Sequence, residues 1–176
     1  MNLKIIEEVK DLYQIIELTP FRKTEGVMFD LFPLDALPKI DSIDRVLHQK
    51  DAVSPGPTMG VANPWYMHPD QADNLIVLYG KREVEIYTKE HGRVEHFTVL
   101  PDKIYKNDKL IFEGGAVLVW PRHVFHRIKS GTLGSASINF AVHYEGFDIK
   151  TNFNIYDLNT ETGQYTLLRE GYKDQF

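Results

Sequence analysis

The stretch GVANPWYMHPDQADNLIVLYG, residues 60–80, places Tyr66, His68, Asp70 and Asp73 directly before a strongly apolar run. A second stretch, GAVLVWPRHVFHR at 115–127, places His123 and His126 directly after another apolar run. Two polar clusters, each attached to a candidate β-strand, are the ingredients of a strand-built pocket for a metal or a small ligand.

Outward from these clusters the sequence reads with period two. NLIVLYG is a buried strand ended by Gly80, and EVEIYT alternates Val84 and Ile86 with Glu83, Glu85 and Tyr87. EHG is a turn, and RVEHFTVL its hairpin partner, with Val94 and Phe97 toward the core. DKIYKNDKLIFEGG supplies two more short strands. AVLVW, VFHRI and ASINFAVHY follow, and then a pair around TNFNIYDL and YTLLRE joined by the turn NTETGQ. Short strands at close spacing, with no helical stretch between them, predict an all-β sandwich or barrel.

The first third is less regular. Ile5, Val9, Leu12 and Ile16 are spaced for a short amphipathic helix, while the alternation in LKIIEEVK suits an edge strand equally well. Pro20, Pro33, Pro38, Pro55, Pro57 and Pro64 break the region up into short strands and covering loops. The turn cluster SPGP at 54–57 sets the expected division: an N-terminal extension over 1–54 packing on a barrel over 55–176, in one structural domain.

Bulk properties narrow the function. The 176 residues carry a net charge of −5, which disfavours a nucleic-acid partner because phosphate binding needs a basic surface. There is no cysteine, so disulfides, thiolate metal sites and a cysteine nucleophile are excluded. No run approaches the length of a membrane span, and the acidic start MNLKIIEEVKDLYQ does not read as a secretory leader. A soluble cytoplasmic protein with a small-molecule ligand, and no membrane or nucleic-acid partner, is expected.

Gly60, Tyr66, His68, Asp73 and Gly80 fall at the spacings of the first cupin motif, and Gly115, Pro121, His123 and His126 at those of the second. Over roughly residues 55–145 the chain resembles the cupins, single-domain RmlC-like jelly-roll barrels. The resemblance implies a cupin-type double-stranded β-helix with an N-terminal wrap of short strands or a short helix. Tyr66 stands where the motif has its first His, Asp73 where it has Glu, and His123 where it has Gly. Ser130 takes the final Asn position.

Carried over residue by residue, the resemblance implies His68, Asp73 and His126 as metal ligands. Such a set suits iron, manganese or nickel, with zinc also in range. Tyr66 and His123 are then the candidate catalytic acid or base. A second register starts the motif at His68 and puts Asp70 and Asn74 in the ligand places. Asp70, Gln71 and Asn74 are therefore candidates for the pocket rim, and Arg122, Asn139 and His143 are further candidates for the pocket. Arg82 is a further basic residue able to meet a ligand anion, and Trp65 and Trp120 are candidate walls of the barrel mouth. His48, His91 and His96 read as surface residues. The implied activity is metal-dependent isomerase, epimerase, lyase or dioxygenase chemistry, with ligand binding without turnover as the alternative. A homodimer is expected because edge strands need covering.

Overall fold

The computed structural model describes residues 3–37 and 39–176; Pro38, one of the prolines noted above, lies outside them. In chain order the strands are β1 (Ile5–Val9), β2 (Tyr13–Glu17), β3 (Thr19–Thr24), β4 (Val27–Leu31), β5 (Ser42–His48), β6 (Val53–Ser54) and β7 (Trp65–Met67). They continue as β8 (Gln71–Tyr87), β9 (Glu95–Leu100), β10 (Lys103–Lys106), β11 (Lys109–Glu113), β12 (Ala116–Trp120) and β13 (Phe125–His143). One helical turn, α1 (Ile149–Asn152), precedes β14 (Ile155–Asn159) and β15 (Gln164–Arg169).

Gly80 does not end a strand. The chain runs through it, so that NLIVLYG and EVEIYT form the single 17-residue strand β8. VFHRI and ASINFAVHY likewise merge into the 19-residue β13. The two pair antiparallel along nearly their whole length, with register shifts between Ser130 and Ser135 and between Ala136 and Ser137. The shifts let the pair bend, and each half then serves a different sheet. The first half of β8 pairs with β12, which carries β2 and β1. Its second half pairs with β9, followed by β10 and β11. On β13, the late half holds β5 and the early half holds β6 and β7. This is the cupin-type jelly roll, with β14 and β15 extending it beyond β7.

The alternation explains the core. Val84 and Ile86 are fully buried while Glu83 and Glu85 keep contact with water. Ile15, Leu75, Val77 and Leu118 from one sheet meet Val84, Ile86, Phe97, Val99 and Ile104 from the other. Each such side chain contributes about 1.5–3 kcal/mol by leaving water.

At the N-terminus, residues 5–17 form a hairpin and not the helix their spacing also allowed. The free edge of β12 supplies backbone partners to β2, and the β-branched Ile15 and Ile16 pack beneath it. The β3–β4 hairpin forms its own two-stranded sheet. Two histidines read as surface residues prove to be bonded inward. His48 meets Ser130 Oγ at 3.0 Å, and His91 meets the buried Glu95 at 2.8 Å. Arg82 is buried too. Its guanidinium donates to Ser135 Oγ at 3.0 Å and to the Val46 carbonyl at 3.2 Å.

The bend depends on two glycines at positive φ, Gly80 (71°) and Gly134 (72°). A Cβ on Gly80 would overlap the Gly134 carbonyl, and one on Gly134 would sit 2.5 Å from the His48 carbonyl. Gly26 has the same φ but nothing within 4 Å of its Cβ position. Gly26→Ala should therefore cost only about 1–2 kcal/mol of left-handed strain. Gly80→Ala should cost at least about 3 kcal/mol, since backbone must also move. Urea unfolding of the two variants checks this; equal losses would mean that close approach does not hold the bend.

Candidate functional site

β7 leads straight into the loop before β8, and β13 runs back alongside both. Tyr66 lies opposite His126 in the β7–β13 pairing, so both face the barrel interior. His68 follows two residues after Tyr66 on the same side. Asp73 comes from β8, directly across from Trp120 of β12. The two polar stretches are tied together by the His123 amide, which donates to the His68 carbonyl at 2.8 Å.

The structure brings His68, Asp73 and His126 into one buried cluster, exposed by only 4%, 3% and 4%. One ligand atom from each lies within 4.8 Å of the others. The orientation of each is set from behind. His68 Nδ1 donates to the Asn152 carbonyl, and His126 Nδ1 donates to the Val124 carbonyl at 3.1 Å. A carbonyl only accepts, so both protons sit on Nδ1 and both Nε2 atoms are turned to the cluster. Asp73 Oδ1 accepts from Gln71 Nε2 and Asn139 Nδ2, each at 2.7 Å. Its Oδ2 faces His68 Nε2 at 3.2 Å.

The electrostatics follow from this packing. Burial works against the charged form of His68, but the Asp73 carboxylate and the Asn152 carbonyl outweigh it and raise its pKa. Burial also opposes ionisation of Asp73, yet the charge and hydrogen bond of His68 hold its carboxyl well below the usual range. His126 is pushed down to about 4, first by burial and then by the charge on His68. Tyr66 is raised by burial, so its phenol keeps its proton at neutral pH.

The remaining sequence candidates scatter. Asn139 joins the cluster through Asp73 and also donates to Asp44 Oδ2 at 3.2 Å. Asn74 is buried but turned to the other face of β8, where it donates to the Phe140 carbonyl at 2.7 Å. Asp70 and Arg122 pair with each other at the rim, at 3.3 Å. His143 stacks on Phe147 at 3.5 Å. The side chain of His123 is exposed, on a turn with φ of 67°; only its backbone reaches the cluster. Arg82 is engaged by Ser135 and Val46, as described above.

Two contributors carried no motif. Asn152, on α1, holds His68 by its carbonyl and Gln71 by its amide, at 2.9 Å. Phe153 packs edge-on against both His68, at 5.2 Å, and Tyr66, at 6.1 Å. Gln71, a rim candidate in the sequence, lies two residues before Asp73 on the same face and reaches its carboxylate.

No protein-family model matches the chain, and no curated protein matches it. Solved structures do. The sugar 3,4-ketoisomerase QdtA from Thermoanaerobacterium thermosaccharolyticum, in complex with TDP, is 13% identical over 80% of this chain and 85% of its own, with a TM-score of 0.54. The dTDP-6-deoxy-D-glucose-3,5-epimerase RmlC from Legionella pneumophila, in complex with dTDP-4-keto-L-rhamnose, is 13% identical over 81% and 73%, at 0.59. The dTDP-4-dehydrorhamnose 3,5-epimerase from Sulfolobus tokodaii is 18% identical over 84% and 78%, at 0.54. The chain thus has the RmlC-like cupin fold. Similarity at this level establishes architecture, and chemistry must come from the site.

In metal-free protein, NMR titration of the imidazole Cε1–H signals should find His68 titrating above 6.5 and His126 near 4. Asp73→Asn removes the largest effect favouring charged His68 and leaves burial opposing it. The His68 midpoint should then fall below its wild-type value. A midpoint unmoved in that variant would break the assigned coupling.

Proposed function

We propose that the chain is a metal-dependent small-molecule enzyme of the isomerase or epimerase type. A divalent ion is held by His68 Nε2, Asp73 Oδ2 and His126 Nε2. The observation that carries this reading is the seating of the two histidines. Each donates its Nδ1 proton to a backbone carbonyl, the arrangement typical of a metal-binding imidazole, and each turns toward the carboxylate an Nε2 that carries the lone pair whenever the ring is neutral. The carboxylate is held in turn through its other oxygen by Gln71 and Asn139. Ligand atoms around one ion with bonds of about 2.1 Å lie at most about 4.2 Å apart. The present 4.8 Å limit closes to that with a small side-chain shift.

Bound there, the ion would supply Lewis acidity to a carbonyl or hydroxyl oxygen of the substrate. Tyr66 would hold a proton at its phenol for delivery to that substrate, because burial keeps it protonated. Phe153 and Asn152 would keep bulk water from the reacting atoms. Asp70 and Arg122 would form the rim that a substrate passes. The exposed Ile43 and Leu47 on β5, which pairs only with β13 among the described strands, support the expectation of a homodimer.

A second reading has its own support. His68 and Asp73 form a buried ion pair, and the structures of the same fold are named as sugar isomerases and epimerases. On that reading His68, charged beside Asp73, moves the proton of an isomerisation with no metal.

Elemental analysis of protein purified without a metal-affinity tag separates the two. The first reading expects about one ion per chain, lost in His68→Ala and in His126→Ala. Gln71→Leu should weaken binding about 10- to 100-fold, since it frees the carboxylate to rotate. A chain that arrives without metal and takes up no iron, manganese, nickel or zinc would eliminate the first reading in favour of the second.

A further inference from the structure

Asn139 of β13 stands between two neighbouring strands. β5 sets Asp44 opposite it, and β8 sets Leu75 opposite it, two residues from Asp73, so all four side chains share one face. Its Nδ2 donates to Asp73 Oδ1 at 2.7 Å and to Asp44 Oδ2 at 3.2 Å. Its Oδ1 accepts from the Asn74 backbone amide at 2.7 Å. Carboxylates only accept and a backbone N–H only donates, so a single orientation of the Asn139 amide satisfies all three. Two of these partners, Asn74 and Asp73, belong to β8. Asp44 alone holds the amide from a different strand. The terminal torsion of an asparagine is soft, and without that anchor the amide is free to swing about its bond to Asp73.

Asp44 is placed for this task. Aspartate is disfavoured within strands, yet this one sits mid-strand, half-buried, on the inward face of β5. Its Oδ1 accepts from Ser42 Oγ, and it pairs with no cationic side chain among the described residues, so nothing competes for Oδ2. The other amide on Asp73 is backed in the same way. Gln71 gives Nε2 to the carboxylate while its Oε1 accepts from Asn152 Nδ2 at 2.9 Å.

We infer that Asp44 is a positioning residue of the cluster: by holding the Asn139 amide from β5 it fixes the rotation of the Asp73 carboxylate. That this rotation governs an ion rests on the metal reading above; that Asp44 sets it through Asn139 does not.

The test uses the full chain, isotope-labelled for NMR, as wild type, Asp44→Ala and Asp44→Asn. In the metal-free wild type both Asn139 amide protons should lie downfield and exchange slowly with water, because both are hydrogen-bonded. Asp44→Ala should free one of them and, as the amide swings, shift the proton that faces Asp73 as well. Asp44→Asn should restore both, since its Oδ1 can accept the same bond. Zinc affinity, measured on the same samples by competition with a chelator, should fall about three- to tenfold in Asp44→Ala and recover in Asp44→Asn. That loss is smaller than the roughly 10- to 100-fold of a group that touches a metal ligand directly. An Asp73-facing proton that stays in place in Asp44→Ala, or an Asp44→Asn variant as impaired as Asp44→Ala, overturns the inference. A wild-type chain that takes up no zinc defeats the metal reading alone, and the amide protons of that zinc-free chain still decide the role of Asp44. If Asp44→Ala fails to fold, Asp44→Ser, whose hydroxyl is too short to reach the amide, takes its place. Fast exchange of the Asp44-facing proton in the wild type overturns the inference without any variant.

Discussion

Everything in this molecule hangs on the bent antiparallel pair of β8 and β13. Neither strand belongs to one sheet. Each crosses from one to the other, and the core is the space enclosed between their halves. A strand pair of this length twists but does not fold over by itself. Here the turn is made where the register slips, with Gly80 and Gly134 allowing the two backbones to come closer than any side chain would permit. The same bend positions the chemistry. It sets Asp73 on the early half of β8 against His126 on the early half of β13, two residues that the ladder alone would hold far apart.

Burial then governs what the cluster can be. Three ionisable groups with almost no access to water would be costly if left to themselves. The protein offsets that cost with partners for nearly every remaining valence. Gln71 and Asn139 serve one carboxylate oxygen, and two backbone carbonyls serve the two Nδ1 atoms. What these partners leave open is one sector, toward which two nitrogens and one oxygen point. Asp73 pulls the pKa of His68 up, while burial first and then the charge on His68 push that of His126 down to about 4. The acid nearest the carboxylate gains its proton readily; the other, repelled by that proton, stays neutral.

The barrel was legible in the sequence because it rests on short-range signals. Period two marks strands, Gly and Pro mark turns, and the spacing from Gly60 to Gly80 and from Gly115 to His126 marks the paired motifs. Those spacings also bring together His68, Asp73 and His126, whose side chains meet in the structure. Where the reading stopped short, the cause was in each case a long-range contact. Gly80 looked like a strand end because local sequence cannot show that the ladder resumes beyond a bulge. Residues 5–17 suited helix or strand until the edge of β12 decided. Arg82, His48 and His91 looked free to meet solvent or ligand, and their hydrogen-bond partners are distant strands or a buried glutamate. Asn152 had no signal at all. It acts mainly through a backbone carbonyl, which any residue has, delivered from 84 positions away.

That carbonyl bears on how one fold can serve different chemistries. The RmlC-like architecture sets strand positions and so sets where His68, Asp73 and His126 stand. It does not set the proton on His68. A histidine beside a carboxylate with its Nδ1 free would place its proton on Nε2, facing the acid, and behave as one half of a proton-transfer pair. With Nδ1 committed to Asn152, the neutral ring has its lone pair on Nε2, facing Asp73, and two electron-rich atoms then confront each other at 3.2 Å. Only a cation between or upon them relieves this, whether a second proton or a metal ion. The His126 lone pair points into the same sector, and a single proton on His68 Nε2 leaves that lone pair unused. A divalent ion would engage all three. Which nitrogen of His68 faces inward is thus dictated from a one-turn helix outside the barrel strands, through the Asn152 carbonyl.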